Sequence, residues 1–460
     1  PEILRIMLWL CVQYPKDICT TKSIDYSQAY LNSKRKDGAP DVFVRLPPGL
    51  TVDGEKQAKA NIHFYGELDA GLRWFENLTI SLIKITTSMG HPLTQNEPDP
   101  CFFHFFSSSL IILILANVDD LILHIIGSDH STKMAELLEL MQADYDLTIS
   151  SDIDNYLGLN LTWDINREWV KISMENKIDE LGDILNLSTK DYIKQPMPKN
   201  FDNTPMADDH VNYHEPFPTI YGKLLFISHY RPDIAIAKTK LAPYMHKWSK
   251  YHWDVLLDLC TYLFQSRSDG MFIRRSPTWE VGKTKCTIIS DAGELANTNS
   301  GSKSIIGHVL FIEDNIISFR SKHTSCVTVD ASHAELMGLY SAVKTIKSID
   351  NIFISLHPIM LVKPMVMYGD NLASLWISRT KGNSTRTKHY NVKLHYIYEQ
   401  ITKELIVTKH ITTEECLADF LTKIQEYSLF KSQSAYFVAE TIEKLLIFLP
   451  PLADKSDISK

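Results

Sequence analysis

The run LILANVDDLILHII, residues 113–126, sets two adjacent aspartates inside an apolar stretch. Burying one unpaired carboxylate is costly, and two ionised neighbours repel each other. A pair placed there needs either water or a cation. The flanking runs SLIILILANV (109–118) and LILHII (121–126) read as short strands, and CFFHFF (101–106) with its serine turn adds another before them. Asp119 and Asp120 therefore fall at a tight turn between two apolar strands. That turn lies at a sheet edge, facing solvent or a ligand.

The rest of the chain has an ordinary globular composition, 44% hydrophobic and 22% charged over 460 residues, enough for two to four domains. A formal charge of −8 excludes a uniformly basic nucleic-acid coat but leaves room for a local basic groove. The 7 cysteines are scattered without a CxxC pair and read as reduced, buried thiols, not as a disulfide frame or zinc site. ILRIMLWLCV (3–12) and 109–118 are both too short to span a membrane, so no membrane partner is expected. The chain starts at Pro1, which suggests a fragment whose residues 3–12 are the last turns of a buried helix.

Residues 71–90 suit an amphipathic helix with Leu72, Phe75, Leu78, Leu82 and Ile85 on one stripe. A polar, proline-containing stretch over 186–215 is the expected linker. Residues 219–265 read as mostly helical, and RSPTWEVGKT (275–284) is a second boundary. Beyond it the pattern resets: strand CTIISDA, a hairpin, a long helix from 331, strand KPMVMYGD, two further helices and a late strand LIVTKHI. Mixed strands followed by helices predict an α/β or α+β domain.

Four acids in this second half share one placement. Asp291 and Asp370 end strands, Glu335 lies in the long helix, and Asp419 lies in EECLADFLTK. Strand ends and adjoining helices can converge on one point. Four clustered carboxylates cannot all stay ionised without counter-charge. Hard oxygen ligands suit Mg²⁺ or Mn²⁺, and two such ions about 4 Å apart clamp an in-line attack on a phosphodiester. A run of Lys and Arg from 379 to 410 (Arg379, Lys381, Arg386, Lys388, Lys393, Lys403, Lys409), interleaved with His and Tyr, suits phosphate tracking.

These residues come in an ordered series: SDAGE (290–294), KSIIGHVL (303–310), ASHAELMGLYSA (331–342), MYGDNLASLWI (367–377), TRTKHYNVKLHYI (385–397) and CLADFLTK (416–423). The series resembles the ribonuclease H domain of copia-type LTR retrotransposon polyproteins. SIDYSQAYLN (23–32), VFVRLPPG (42–49), VDDLIL (118–123), YLGLNL (156–161) and YRPDIAIA (230–237) resemble the reverse transcriptase of the same elements. The resemblance runs from about 20 to 425 and implies the following expectations.

Residues 1–185 would form an α+β palm-type polymerase domain with the fingers missing. Residues 186–280 would form a helical thumb or connection, 281–427 an α/β ribonuclease H-like domain, and 428–460 a helical tail. Asp25 and Asp119 would hold two Mg²⁺ or Mn²⁺ ions for nucleotidyl transfer, with Asp120 beside them. Asp291, Glu335, Asp370 and Asp419 would hold two more for hydrolysis. Tyr65, Gly66, Arg386, Lys388, His389 and Lys393 would contact nucleic acid. Implied partners are an RNA template, a DNA primer, an RNA–DNA hybrid and deoxynucleoside triphosphates, with a homodimer or integrase association inside the polyprotein. The implied location is cytoplasmic, in a virus-like particle, or nuclear.

The sequence departs from the family at three points. Asn117 replaces an aromatic before VDD. FYGELDAGLRW (64–74) keeps Tyr65, Gly66, Ala70 and Trp74, but Leu68 and Asp69 stand where the family has lysine and glutamine. The basic fingers segment is not in this chain. Exchanging a cation for an acid near a triphosphate inverts the local field. These departures predict an impaired polymerase half beside an intact ribonuclease H quartet. The competing reading is a catalytically inactive retroelement remnant that at most binds nucleic acid. An integrase, with three acids and a His/Cys zinc module, fits neither pattern. Another aspartate pair, Asp208-Asp209, lies in a polar loop and is given no role.

Overall fold

The computed structural model describes residues 1–35, 40–52, 54–150, 153–188, 192–201, 215–293, 303–380 and 391–448. The chain divides into two compact units, one of Tyr14–Tyr156 and one of Pro1–Gln13 with Leu157–Lys460. The division does not follow the expected boundary at 185, because both outlying segments are tied to the C-terminal unit. Helix α1 (Glu2–Gln13) is buried along most of its length. Its Arg5 guanidinium donates to the Ile317 carbonyl at 2.8 Å and packs on the rings of Tyr230 and Phe319. The segment Trp169–Ser173 pairs antiparallel with Gly270–Arg274.

The Tyr14–Tyr156 unit is built on an antiparallel sheet. Its strands are β1 (Cys19–Tyr26), β2 (Thr94–Gln95), β3 (Phe102–Phe106), β4 (Leu110–Asn117), β5 (Asp120–Gly127) and β6 (Leu147–Ser150), in the order β2-β3-β4-β5-β1-β6. Alternation sends Ile112, Ile114, Leu121, Leu123 and Ile125 into one core. There they meet Trp74, Leu78, Leu82 and Ile85 of α2 (Ala70–Ser88), and Leu137 and Met141 of α3 (His130–Asp144). The expected stripe on α2 needs one correction. Leu72 is 56% exposed, and Trp74, at 1%, takes the buried place at that end. Residue 74 leads the 74, 78, 82, 85 series that faces the sheet, whereas 72 lies off it.

In the other unit, β7 (Leu159–Trp163), β8 (Trp169–Ser173) and β9 (Gly270–Arg274) pair antiparallel. The helices α4 (Glu175–Leu185), α5 (Phe217–Ile227), α6 (Ala235–Leu241) and α7 (Lys250–Gln265) lie between β8 and β9 in the chain. The YRPDIAIA segment has a structural explanation. Arg231 and Asp233 are fully buried and paired at 2.7 Å, with Asp233 also accepting from the Tyr262 hydroxyl at 2.8 Å. A buried pair of this kind is tolerable only when its remaining groups are hydrogen-bonded, and the Arg231 guanidinium also reaches the Ser266 carbonyl at 2.8 Å.

A five-stranded mixed sheet follows. Strands β10 (Cys286–Ala292), β11 (Ile305–Ile312) and β12 (Asn315–His323) are antiparallel, while β13 (Met365–Gly369) and β14 (Ile406–His410) run parallel to β10. The order is β12-β11-β10-β13-β14. The 25-residue helix α8 (Ala331–Ser355) connects β12 to β13, capped by Asp330, whose side chain accepts from the His333 amide. Helices α9 (Leu372–Ser378) and α10 (Asn391–Thr402) lead to β14. A 3₁₀ segment (Leu417–Leu421) then precedes α11 (Tyr427–Phe437) and α12 (Ile442–Phe448). None of the 7 cysteines, all among the described residues, forms a disulfide. Among the described residues no helix is long and apolar enough to cross a membrane.

Candidate active sites

In the Tyr14–Tyr156 unit, β4 and β5 are joined by a two-residue turn, Val118-Asp119, and Asp120 is the first residue of β5. Val118 takes a positive φ of 55°. The Trp74 indole N–H donates to the Val118 carbonyl at 2.6 Å, and the Tyr26 amide donates to the Asp119 carbonyl at 2.9 Å. So the tryptophan of the FYGELDAGLRW segment holds the turn that carries the aspartates. Asp25 stands directly opposite Asp120 in the β1–β5 ladder. Directly opposed side chains share a face with Cβ atoms about 5 Å apart. Burial and the nearby Asp119 and Asp25 push the Asp120 carboxyl up to about 6. Asp25 itself is exposed. Asp25 and Asp119 therefore both lie near Asp120 at one strand end, but among the described residues the three do not bring ligand atoms as close together as the acids of the mixed sheet.

Around them the departures take physical form. Asn117 is exposed and pairs with Asp120 across the hairpin. Tyr65 is 57% exposed with its ring against Tyr30, 4.7 Å between centroids. Gly66 has a φ of +98°, a conformation that favours glycine. Leu68 is fully exposed. Glu67 is taken up locally: it pairs with Arg35 at 2.5 Å, lies 3.2 Å from His63 Nδ1 and accepts from the Phe64 amide. These hydrogen bonds hold its carboxyl below the usual range even against partial desolvation. Asp69 pairs with Arg73 at 3.4 Å.

In the mixed sheet, the parallel β10–β13 register sets Ser290 beside Gly369, so Asp291 and Asp370 leave neighbouring strands side by side. Helix α8 approaches this point through Gly338, where a Cβ would stand 3.1 Å from the Asp291 carbonyl oxygen. Glu335, one turn earlier, is thereby brought to the strand ends. Carboxylate oxygens of Asp291, Glu335 and Asp370 lie within 4.8 Å of one another. A second grouping shares Asp291 and adds the Cys416 sulfur and Asp419 within the same span.

The electrostatics are those of crowded, partly desolvated acids. Asp291 is fully buried and Asp419 is 13% exposed on its side chain. Burial, with Asp291 and Asp370 nearby, pushes Glu335 up to about 9. Burial and Asp291 push Asp419 up to about 7. One Asp291 oxygen, Oδ2, accepts from the Thr422 hydroxyl and lies 3.6 Å from Lys423 Nζ. The other, Oδ1, is buried without a hydrogen-bond partner. Asp370 accepts from the Thr413 hydroxyl at 3.2 Å.

Sequence reasoning gave no role to Thr422 or Lys423, although both lie in CLADFLTK. The i,i+4 spacing of Asp419 and Lys423 is the signal that could have found the lysine. The expected basic run is only partly described. Arg386, Lys388 and His389 lie outside the described residues, as do Lys381 and the pair Asp208-Asp209. Lys393 rests against Met337 and the Tyr340 ring. Arg379 donates to the Thr408 hydroxyl and carbonyl, and Lys403 pairs with Glu399. These three cations are tied to protein groups.

The comparisons with known proteins divide along the chain. The family model for "Reverse transcriptase (RNA-dependent DNA polymerase)" matches residues 1–199. The Retrovirus-related Pol polyprotein from transposon TNT 1-94 of Nicotiana tabacum is 24% identical over 422 residues, covering 89% of this chain and 30% of the relative. The corresponding polyprotein from transposon RE2 of Arabidopsis thaliana is 24% identical over 91% of this chain and 27% of its own length. The Transposon Ty1-GR2 Gag-Pol polyprotein of Saccharomyces cerevisiae is 21% identical over 89% of this chain and 23% of its own. The chain thus spans about 30% or less of the curated relatives it matches. Among solved structures, LC11-RNase H1 isolated from compost matches with 19% identity and a TM-score of 0.24, covering 30% of this chain and 92% of that one. The chain is thus similar to a reverse transcriptase over its first 199 residues and to retrotransposon Pol polyproteins along nearly its whole length.

Proposed function

We propose that this chain is an RNA-directed DNA polymerase and ribonuclease H in one segment, with the hydrolytic half intact and the polymerase half impaired. Residues 281–427 are read as the ribonuclease H domain, Tyr14–Tyr156 as the polymerase palm and the helices between as a thumb or connection. The substrate of the hydrolytic half is an RNA–DNA hybrid. The polymerase half would take template, primer and deoxynucleoside triphosphates.

The observation that carries the reading is the convergence of Asp291, Glu335 and Asp370, together with a buried Asp291 oxygen that has no hydrogen-bond partner. An all-oxygen set with one orphaned ligand atom fits a hard divalent cation such as Mg²⁺ or Mn²⁺. Such an ion supplies polarised water and neutralises charge on phosphoryl oxygens. The protein's own contribution is position. Asp291 is fixed by Thr422, Asp370 by Thr413, and Glu335 by the close approach of α8 at Gly338. Asp419 extends the set and gives the reading its second ion place.

In the polymerase half, Asp25 and Asp119 would hold the ions and Asp120 would stand beside them. Impairment follows from exposed Asn117 in place of an aromatic floor, and from Leu68 and Asp69 in place of a cation and an amide. Inactivity of the whole chain is the second reading, and the same departures favour it for polymerisation alone. The test is Mg²⁺-dependent cleavage of a labelled RNA–DNA hybrid by the chain and by Asp370→Asn. Cleavage that disappears in the variant supports the reading. No cleavage by the folded parent in either ion moves the account to the inactive remnant.

A further inference from the structure

We propose that Lys423 is the resident counter-cation of the acidic centre: a positioning residue that holds Asp291 and Asp419 together while no divalent ion is bound, and that must release Asp291 when one enters between them. The inference rests on the metal-binding reading of this centre.

The geometry is asymmetric. Two groupings share Asp291, one with Glu335 and Asp370, the other with Cys416 and Asp419. Lys423 Nζ stands at the second, 3.0 Å from Asp419 Oδ1 and 3.6 Å from Asp291 Oδ2. Among the described residues, no other Lys, Arg or His forms an ion pair with any of the four acids. Asp291 is fully buried, so an ionised carboxylate there requires a partner. Its Oδ2 has the lysine and the Thr422 hydroxyl, while its Oδ1 has none. The same carboxylate is thus closed on one side and open on the other.

The lysine is held there by the fold. The segment carrying it packs where Gly307 of β11 and Gly293, one residue past β10, lack a Cβ. A Cβ on Gly307 would stand 2.7 Å from Thr422 Cγ2 and 2.8 Å from Leu421 Cβ, and one on Gly293 would stand 2.7 Å from the Thr422 carbonyl oxygen. Backbone contact this close fixes Thr422, and with it the root of Lys423. The ammonium end is different. Its side chain is 37% exposed on a flexible four-carbon stem, so it can leave for solvent without unpacking the core.

One positive charge shared by two carboxylates leaves that pair net negative. A divalent ion neutralises it, but repels an ammonium only a few ångströms away. Lys423 and an ion at the Asp291–Asp419 place therefore compete. The ammonium stabilises the ion-free centre and weakens ion binding at the second place, leaving the Asp291–Glu335–Asp370 place to fill first.

The test uses the full chain and Mn²⁺ alone. Bound Mn²⁺ is followed by electron paramagnetic resonance, and thermal stability is measured in chelator. Lys423→Met removes the charge and keeps the length; Lys423→Arg keeps the charge. The expected result is that Lys423→Met melts lower than the parent in chelator yet binds the weaker Mn²⁺ about tenfold more tightly, while Lys423→Arg stays near the parent in both. A lysine with a merely structural role would give equal or weaker Mn²⁺ binding in Lys423→Met, and that result overturns the inference. If Mn²⁺ binds to neither the parent nor Lys423→Met, the metal-binding reading fails and takes the inference with it. If the parent binds and Lys423→Met is unchanged in affinity, the inference alone fails. Mn²⁺ binding by Lys423→Met but not by the parent supports displacement in its strongest form.

Discussion

The two acidic centres of this chain solve one electrostatic problem in opposite ways. At the β4–β5 turn, Asp25, Asp119 and Asp120 sit at a strand end open to solvent, and among the described residues no Lys, Arg or His forms an ion pair with them. In the mixed sheet, Asp291 is fully buried, its neighbours are largely covered, and Lys423 is built into the cluster. The difference follows from burial. Water screens the open trio, so its mutual repulsion is modest; partial burial, with Asp119 and Asp25 nearby, pushes Asp120 up to about 6. The covered quartet lacks that screening, so Glu335 is driven to about 9 and a cation is required in the ion-free state.

The largest expected effect that would break this contrast is at Asp291. Asp291→Asn removes the carboxylate shared by both groupings, and hybrid cleavage is expected to fall on the order of 10³-fold. Full activity in a steady-state cleavage assay of this variant would remove the buried centre from the account.

The pH dependence comes next. Glu335 titrates in the fold at about 9, above its ordinary 4.5, and Asp419 at about 7, above 3.8. Between those limits the folded, ion-free protein holds protons that the unfolded chain has lost. Stability in chelator is therefore full below about pH 4 and declines as pH rises through 7 to 9 from these groups. Mn²⁺ binding displaces the same protons, so affinity rises over that window. Melting curves in chelator and Mn²⁺ titrations at pH 6 and pH 9, each an approximate setting within this window, check both directions. An affinity independent of pH would contradict the crowding.

A smaller effect is expected at the open centre. Asp120→Asn relieves repulsion from Asp25 and Asp119 and should stabilise the chain above pH 7 by about 1 kcal/mol, after allowance for solvent screening. The gain should vanish at acid pH, where the parent's carboxyl is already protonated. Thermal unfolding at the two pH values measures it. The smallest effect is at Leu68, which is fully exposed. Leu68→Lys should leave stability within about 0.5 kcal/mol and should raise primer extension if the lost cation is part of the impairment.

The contrast also marks what the sequence could show. The short apolar runs on either side of Asp119-Asp120, with the serine turn before them, were enough to place the pair at a hairpin turn. The strand-ending Asp291 and Asp370, and Glu335 on the long helix, were legible for the same reason. The spacing of Lys423 from Asp419 was legible, but its contact with Asp291 was not, because Asp291 lies 132 positions away and meets it only through the glycine-permitted crossing at Gly307 and Gly293. Trp74 was visible as a retained residue, but its hydrogen bond to the Val118 carbonyl depends on tertiary packing. Leu72 was assigned to the buried stripe by spacing alone, and the position of Trp74 decided otherwise. The grouping of 1–13 and 157–185 with the C-terminal unit likewise rests on long-range pairing, of Arg5 with Ile317 and of β8 with β9, that local pattern does not encode.

The central claim is that the buried quartet is a working centre independent of the open trio. The most direct measurement compares cleavage of a labelled RNA–DNA hybrid by the parent, Asp370→Asn and Asp25→Asn under identical Mg²⁺. The account predicts cleavage by the parent, none by Asp370→Asn, and parental rates in Asp25→Asn. Cleavage that survives Asp370→Asn, or that is absent from a folded parent in both Mg²⁺ and Mn²⁺, would contradict it.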